Sequence, residues 1–213
     1  TCARLGDGTA RCWGGNDWGQ LGDGTTTNRP SPVVVSGLTG VTSIDAGSLS
    51  TCASLGDGTA RCWGANWYGQ LGDGTTVDRL TPVAVAGLNG VASIEGGWGH
   101  TCARLAAGTV ECWGGNWSGQ GGDGTPTDRL APAVVSGLTG VTSLSVSDST
   151  TCVTVTDGTA RCWGDNWSGQ VGDGTTTNRL APVTVSGLAH ATSVSAGGTS
   201  MCARLGSYED ALF

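Results

Sequence analysis

The cysteines are the residues of this sequence whose type and spacing point most directly to chemistry. Eight of the nine cysteines form pairs ten positions apart, each pair around a short turn. This spacing is too wide for a Cys-x-x-Cys redox motif, and both histidines lie outside the paired stretches, which disfavours a zinc site. We therefore predict structural disulfides. The predicted pairs are Cys2–Cys12, Cys52–Cys62, Cys102–Cys112 and Cys152–Cys162.

The turn between the first two cysteines, Gly-Asp-Gly at residues 6–8, predicts a hairpin centred on Asp7. Such a hairpin places Cys2 directly opposite Cys12. Opposed residues in a non-hydrogen-bonded antiparallel pair have Cα atoms about 4.5 Å apart, within the range of roughly 4.4 to 6.8 Å that a disulfide accepts. Each bridge should contribute about 2 to 3 kcal/mol, because it closes a loop of about ten residues. Reduced structural cysteines are the alternative.

The cysteine pairs are part of a repeat of the whole sequence with a period of fifty residues. Four units, residues 1–50, 51–100, 101–150 and 151–200, are followed by the start of a fifth at 201–213. A period near fifty is typical of propellers and solenoids, in which each unit is stabilised by its neighbours. We therefore treat residues 1–213 as one repeat domain.

Each unit contains four short apolar or β-branched runs, for example 41–44, 51–55, 60–64 and 82–88. Turn residues separate these runs, and no window shows helical periodicity. The 39 glycines would interrupt any long helix. The fold class is therefore predicted to be all-β. Four strands per fifty residues predict the blades of a β-propeller, with 41–44 as the inner strand, then the two cysteine strands, then the outer strand.

The composition limits where the protein works and what it binds. The chain has no lysine, ten arginines, seventeen acidic residues and a net charge of −7. Four disulfides predict an oxidising compartment, so we expect a secreted or cell-surface protein, and Thr1 without a signal peptide suggests a processed or excised product. The acidic balance argues against nucleic acid as a partner. No run approaches the roughly 20 apolar residues of a membrane helix, so membrane insertion is not expected.

One motif, Trp-Gly-x-Asn-x-x-Gly-Gln-x-Gly, recurs in every full unit, at residues 13–22, 63–72, 113–122 and 163–172. Together with "CWGGNDWGQLGDGT" at 12–25 and "VTSIDAG" at 41–47, it resembles the repeats of the regulator of chromosome condensation family. The resemblance implies a propeller, usually of seven blades, and the paired cysteines look like the secreted bacterial branch. The eukaryotic namesake is a nucleotide exchange factor on chromatin, a role that the acidic, disulfide-rich composition argues against.

The number of units leaves the closure of the propeller open. A closed four-bladed ring would need residues 191–196 in front of Thr1, whereas an open arc would have two unpaired edges. In the fifth unit, Leu212 and Phe213 stand where the second cysteine and the tryptophan belong, so we predict a free thiol or an intermolecular bridge for Cys202. One hypothesis is that arcs join end to end into a ring or polymer. The other is that the chain is a piece of a longer repeat protein.

The long loop of each unit contains residues that we interpret as framework. Asn16 and Gln20, with their counterparts, are predicted to hydrogen-bond the backbone of their own loop. Arg29 is predicted to pair with Asp23, and the equivalent arginines with the equivalent aspartates. A calcium site in this loop is the alternative, disfavoured because each loop offers few carboxylates. We predict no metal and no cofactor.

The candidate binding residues lie where the units differ from one another. One variable turn joins the inner strand to the first cysteine strand, and its residues are expected to line one end of the propeller. These are Asp45, Glu95, Trp98, His100 and Asp148. A second variable position adds a ring of aromatic residues, namely Trp18, Trp67, Tyr68, Trp117 and Trp167. Exposed aromatic groups beside carboxylates are typical binding anchors. The alternative is that these tryptophans wedge between blades.

The sequence offers no recognisable catalytic machinery. The two histidines lie in dissimilar contexts, and there is no Ser/His/Asp arrangement, metal cluster or phosphate loop. We predict a non-enzymatic secreted scaffold that recognises a protein partner through its variable loops. The alternative is a structural protein that self-assembles end to end. A third hypothesis is carbohydrate binding, because tryptophan beside Asp and Asn suits sugar stacking.

Overall fold

The computed structural model describes residues 1–206, which fold into seventeen β-strands in five antiparallel sheets. The first sheet contains β1 (Cys2–Arg4), β2 (Ala10–Gly14) and β3 (Arg29–Val34). The second contains β4 (Val41–Ala46), β5 (Ser50–Leu55), β6 (Ala60–Gly64) and β7 (Arg79–Ala84). The third contains β8 (Val91–Gly96), β9 (His100–Leu105), β10 (Val110–Gly114) and β11 (Arg129–Val134). The fourth contains β12 (Val141–Val146), β13 (Thr150–Val155), β14 (Ala160–Gly164) and β15 (Arg179–Thr184). The last contains β16 (Ala191–Gly197) and β17 (Ser200–Leu205).

Each four-stranded sheet is one propeller blade with the predicted strand order. In the second sheet the order is β4-β5-β6-β7, from the inner strand through the two cysteine strands to the outer strand. The outer strand is shifted from its predicted position at 82–88 to Arg79–Ala84. The reason is that Val85 and Leu88 leave the strand and are buried against the neighbouring blade.

The predicted hairpin between paired cysteines is confirmed in all four full units. Cys2 lies opposite Cys12, their Cα atoms are 4.1 Å apart, and the sulfurs are bonded. The turn forms because the Asp7 carboxylate accepts hydrogen bonds from the Thr9 amide and hydroxyl, while Gly8 adopts a φ of +79°. The other three predicted bridges are present with the same separation of 10 residues.

The seams between blades are closed by the tryptophan that follows the second cysteine. Trp63, Trp113 and Trp163 are almost fully buried. The indole of Trp113 donates to the backbone carbonyl of Gln70 in the preceding blade at 2.9 Å, and the Thr101 hydroxyl donates to the same oxygen at 2.9 Å. That carbonyl thus has both acceptor sites filled in a buried position, which removes the cost of an unpaired polar group.

Glycine is required where this tryptophan meets the preceding blade. Gly22 has a φ of +69°, and a Cβ on it would lie 2.7 Å from the Trp63 indole nitrogen. Any side chain here would both strain the backbone and push the indole out of the seam. The glycine and the tryptophan of the repeated motif are therefore one packing unit shared by consecutive blades.

The described residues form an open arc. β16 and β17 make a two-stranded sheet of their own, and within residues 1–206 β16 does not pair with β1. Cys202 on β17 is exposed and unpaired in the described chain. Leu212 and Phe213, which would complete the fifth unit, lie outside the described residues. Residues 1–206 contain no helix that could span a membrane.

Candidate functional site

The predicted binding residues lie at one end of the sheets, which we call the loop face. The turn 97–99 leaves the sheet where β8 ends, and residues 115–120 leave it where β10 ends. The amide of Gly115 donates to the carbonyl of Gly99 at 2.7 Å, so the two variable segments are adjacent. The opposite end of each blade carries the hairpin turn between the paired cysteines. Both variable positions of the repeat therefore converge on the same surface.

Six aromatic side chains of the loop face make up what we call the aromatic row. They are Trp18, Trp67, Tyr68, Trp98, Trp117 and Trp167. The tryptophans are 38% to 79% exposed, with Trp167 the most exposed, and Tyr68 is half-buried. The tryptophans of the row are therefore surface residues and do not wedge between blades.

Neighbouring units contribute the rings that touch within the row. Trp18 packs edge-on against Trp67 of the next unit, with ring centroids 4.6 Å apart. Tyr68 packs against Trp117 in a tilted arrangement, with ring centroids 5.1 Å apart, and Trp98 contacts both rings at 5.5 and 5.8 Å. The aromatic row is thus built across blades and depends on their arrangement.

The long loops that carry these rings are rigidly held by the predicted framework residues. Asn116 donates from its side chain to the carbonyls of Thr125 and Thr127 and accepts from the Gly121 amide. The side-chain oxygen of Gln120 accepts from the Ser118 amide at 2.9 Å. The same pattern recurs for Asn16, Asn66 and Asn166, so the predicted backbone bonds are confirmed.

The predicted ion pair at the base of each long loop is also confirmed. It joins Arg29 to Asp23, Arg79 to Asp73, Arg129 to Asp123 and Arg179 to Asp173. Burial raises the pKa of Asp173, but hydrogen bonds from Thr175 and Arg179 outweigh it and lower the pKa to about 2. The aspartates are committed to these partners. Among residues 1–206, no group of three or more His, Cys, Asp or Glu side chains that could hold a metal ion is found.

Two of the predicted acidic residues link consecutive inner strands. The Asp45 carboxylate accepts from the Gly96 amide at 2.8 Å, and the Glu95 carboxylate accepts from the Val146 amide at 3.0 Å. Burial raises the pKa of both groups, and for Glu95 the value reaches about 7 because the Asp45 charge adds to the effect of burial. Both side chains are half-buried at the inner edge of the loop face, and Asp148 is exposed on it.

His100 differs from its expected position, because its side chain is buried and does not line the surface. Its Nε2 lies 2.9 Å from the Thr151 hydroxyl, whose own hydrogen is directed to the Gln120 carbonyl. The imidazole is therefore the donor, and it fills the space between two blades. Burial lowers the pKa of His100 to about 4, so the ring is neutral at physiological pH. We assign His100 to the seam between the blades.

Ser118 is a determinant of the surface that sequence reasoning missed. It occupies the position that Trp18 and Tyr68 hold in the first two units. Trp67 and Trp117 each pack against the aromatic ring at this position of the preceding unit, whereas Trp167 meets Ser118 there. Trp167 is accordingly 79% exposed. The signal was present in the sequence, but it could be interpreted only once the contact across blades was known.

Fold and surface together define a repeat protein of four-stranded propeller blades with an aromatic loop face. The model of the regulator of chromosome condensation (RCC1) repeat matches residues 7–54, 57–104 and 157–204, and a second model of this repeat matches 41–70 and 141–170. The chain belongs to the RCC1 repeat family. No curated protein sequence matches it significantly.

Solved structures share the fold at low sequence identity. Human WBSCR16 is 22% identical with a TM-score of 0.83, over 95% of this chain and 54% of that chain. Prp20p from Saccharomyces cerevisiae is 20% identical with a TM-score of 0.82, over 95% of this chain and 53% of that chain. The CRINKLY WD40 ectodomain of the Arabidopsis thaliana receptor kinase ACR4 is 18% identical with a TM-score of 0.59, over 98% of this chain and 60% of that chain. This chain thus spans about half the length of the first two.

Proposed function

We propose that this chain is a secreted, non-enzymatic scaffold that binds a protein partner through the loop face. The observation that carries the proposal is the aromatic row, whose five tryptophans are at least 38% exposed. Tryptophan and tyrosine dominate the energetics of protein interfaces, and large exposed apolar surfaces are uncommon without a partner. Because hydrogen-bonded loops already hold these rings, little conformational entropy is lost on binding.

Two further observations support parts of this proposal. The four disulfides favour an extracellular location, since such bonds persist in oxidising compartments. Prp20p has been described in complex with Kap60 and by its binding to Gsp1p and histones. Those are partners of Prp20p, which is 20% identical to this chain. They support a protein as the class of partner.

A binding comparison of point variants tests the proposal. Trp117→Ala should abolish binding on an array of extracellular proteins while the melting temperature changes little. Val134→Ala is the matched control, because Val134 is an exposed apolar residue near the opposite end of the blade. Unchanged binding in Trp117→Ala contradicts the proposal. If no protein ligand is found and the parent binds a glycan array but Trp117→Ala does not, the aromatic row binds carbohydrate instead.

Self-assembly is a second candidate function, favoured by the surface at β17. Within residues 1–206, β17 pairs only with β16, and a cavity of about 330 Å³ lies between it and the fourth blade. Val171, Met201 and the exposed Cys202 line this cavity. Self-assembly predicts disulfide-linked oligomers under non-reducing conditions that Cys202→Ser removes. A single species with the mass of one chain, with or without reductant, contradicts it.

A further inference from the structure

The arginines of the protein leave no unpaired positive charge on the loop face. The sequence has ten arginines and no lysine. Six arginines lie on the cysteine strands toward the hairpin turns, at the opposite end of the blades: Arg4, Arg11, Arg61, Arg104, Arg161 and Arg204. The other four begin the outer strands at the loop-face end of the blades, where each is ion-paired to an aspartate of its own loop. No arginine is therefore free to balance charge on the loop face.

The loop face carries carboxylates without a cationic partner. Asp17 and Asp148 are exposed, whereas Asp45, Glu95 and Asp165 are half-buried. No arginine of residues 1–206 forms an ion pair with any of these five groups. The surface around the aromatic row thus carries acidic groups that no arginine of the described residues neutralises.

One exposed acidic residue, Asp148, is joined to the aromatic row through the backbone. The Trp98 amide donates to the Asp148 carbonyl at 3.1 Å, so the two residues are adjacent across two blades. Trp98 also contacts Tyr68 and Trp117. A tryptophan and an unpaired carboxylate on adjacent exposed residues can together hold a guanidinium or ammonium group, through cation–π attraction and a charge-assisted hydrogen bond.

We infer that the aromatic row recognises a basic segment of a protein. An arginine or lysine of this segment stacks on Trp98 or Trp117 and forms an ion pair with the Asp148 carboxylate. This inference rests on the proposed function and adds the chemistry of the partner. An acidic partner would meet like charges, and a purely apolar one would bury Asp148 without compensation. A basic segment gains from both features of the surface, and the field of the loop face speeds its approach.

Selection from a phage-displayed library of short disulfide-closed peptides on the intact protein tests this inference. The enriched peptides should combine arginine or lysine with apolar residues. Their affinity should fall about two- to fivefold in Asp148→Asn, the effect of an exposed charge pair, and should weaken as salt is added. Glu111→Gln is the matched control. It removes one negative charge as well, but on β10 near the opposite end of the blade, so affinity should stay unchanged.

The outcomes separate the inference from the proposed function. Enriched peptides that lose binding in Trp117→Ala, yet contain no excess of basic residues, overturn the inference and leave the proposed function standing. Equal loss in Asp148→Asn and Glu111→Gln also overturns it, because the effect would then come from net charge. Peptides that bind regardless of both Trp117→Ala and Trp167→Ala would contradict the proposed function itself. Melting curves of each variant establish that it is folded.

Discussion

The tryptophans in the seams and the tryptophans on the loop face differ in role although they lie four residues apart in the chain. Trp113 is 1% exposed, whereas Trp117 is 42% exposed. Trp113 is part of β10 and faces the preceding blade, where a buried carbonyl receives its indole hydrogen. Trp117 follows Asn116, which anchors a loop that leaves the sheet. Local backbone direction, and not residue type, decides which tryptophan is buried in a seam and which is exposed on the loop face.

Removal of a seam tryptophan should have the largest effect on stability. Trp113→Ala should lower the free energy of unfolding by about 3 to 5 kcal/mol, because it opens a cavity between two blades and leaves the Gln70 carbonyl with one partner fewer. Trp117→Ala on the loop face should lower it by only about 1 to 2 kcal/mol, through the lost ring contacts with Tyr68 and Trp98. Urea unfolding followed by circular dichroism measures both. Equal losses of stability in the two variants would contradict the distinction between seam and loop-face tryptophans.

Removal of one disulfide should have the next largest effect. Replacing Cys102 and Cys112 together by serine should lower the free energy of unfolding by about 2 to 3 kcal/mol, because the unfolded chain regains the entropy of the closed loop. Both sulfurs lie in the blade core, away from the aromatic row. Partner binding by the folded variant should persist. Lost binding in a variant that retains its β-sheet spectrum would show that the loop face depends on this bridge.

A new ring at Ser118 should make Trp167 resemble Trp117. Ser118→Tyr supplies the ring that Tyr68 provides in the preceding unit, and such an aromatic pair contributes about 0.5 to 1.5 kcal/mol. The exposed indole of Trp167 should then be quenched less by acrylamide. Ser168→Tyr is the control, since it introduces the same side chain at the next equivalent position. Unchanged quenching in Ser118→Tyr would contradict the packing rule across blades.

Ionisation of Glu95 should give the smallest effect, visible as a pH dependence. Its folded pKa of about 7 lies above the ordinary value of 4.5, so the native state keeps a proton that the unfolded state has lost. Stability therefore falls as pH rises through this interval. Glu95→Gln cannot ionise, so its melting temperature relative to the parent should rise between about pH 5 and pH 8.

The contribution of His100 to the same pH range is present in both proteins and cancels in the comparison. Its lowered pKa of about 4 acts in the opposite direction, destabilising the fold as pH falls below 6.5. A constant difference between Glu95→Gln and the parent across this range would contradict the assignment of a raised pKa to Glu95.

Local sequence patterns were sufficient to predict the strands of each blade and the disulfide across its central hairpin. The ten-residue cysteine spacing around Gly-Asp-Gly predicted the hairpin, the bridge and the opposed pair, because a tight turn fixes strand register. The loop bonds of Asn16 and the Arg29–Asp23 pair were also predictable, since their partners lie within the same loop. The shifted outer strand was not, because the burial of Val85 depends on the next blade.

The candidate site was predictable by position but not by exposure. Variable turns identified Trp98 and Asp148 on the loop face, yet His100 in the same turn is buried against Thr151 of the next blade. Likewise, the sequence alone left open whether Trp67 and Trp117 were wedges or surface residues. Contacts between residues about fifty positions apart settled both points.

The sequence by itself determined the repeat, the all-β class, the disulfides and the framework of each loop, because these depend on interactions between residues close in the chain. Only the tertiary structure decided which tryptophans are exposed, that His100 belongs to a seam, and that unpaired acids surround the aromatic row. Each of these depends on how one blade is laid against the next, and burial is a property of that packing and not of a single unit.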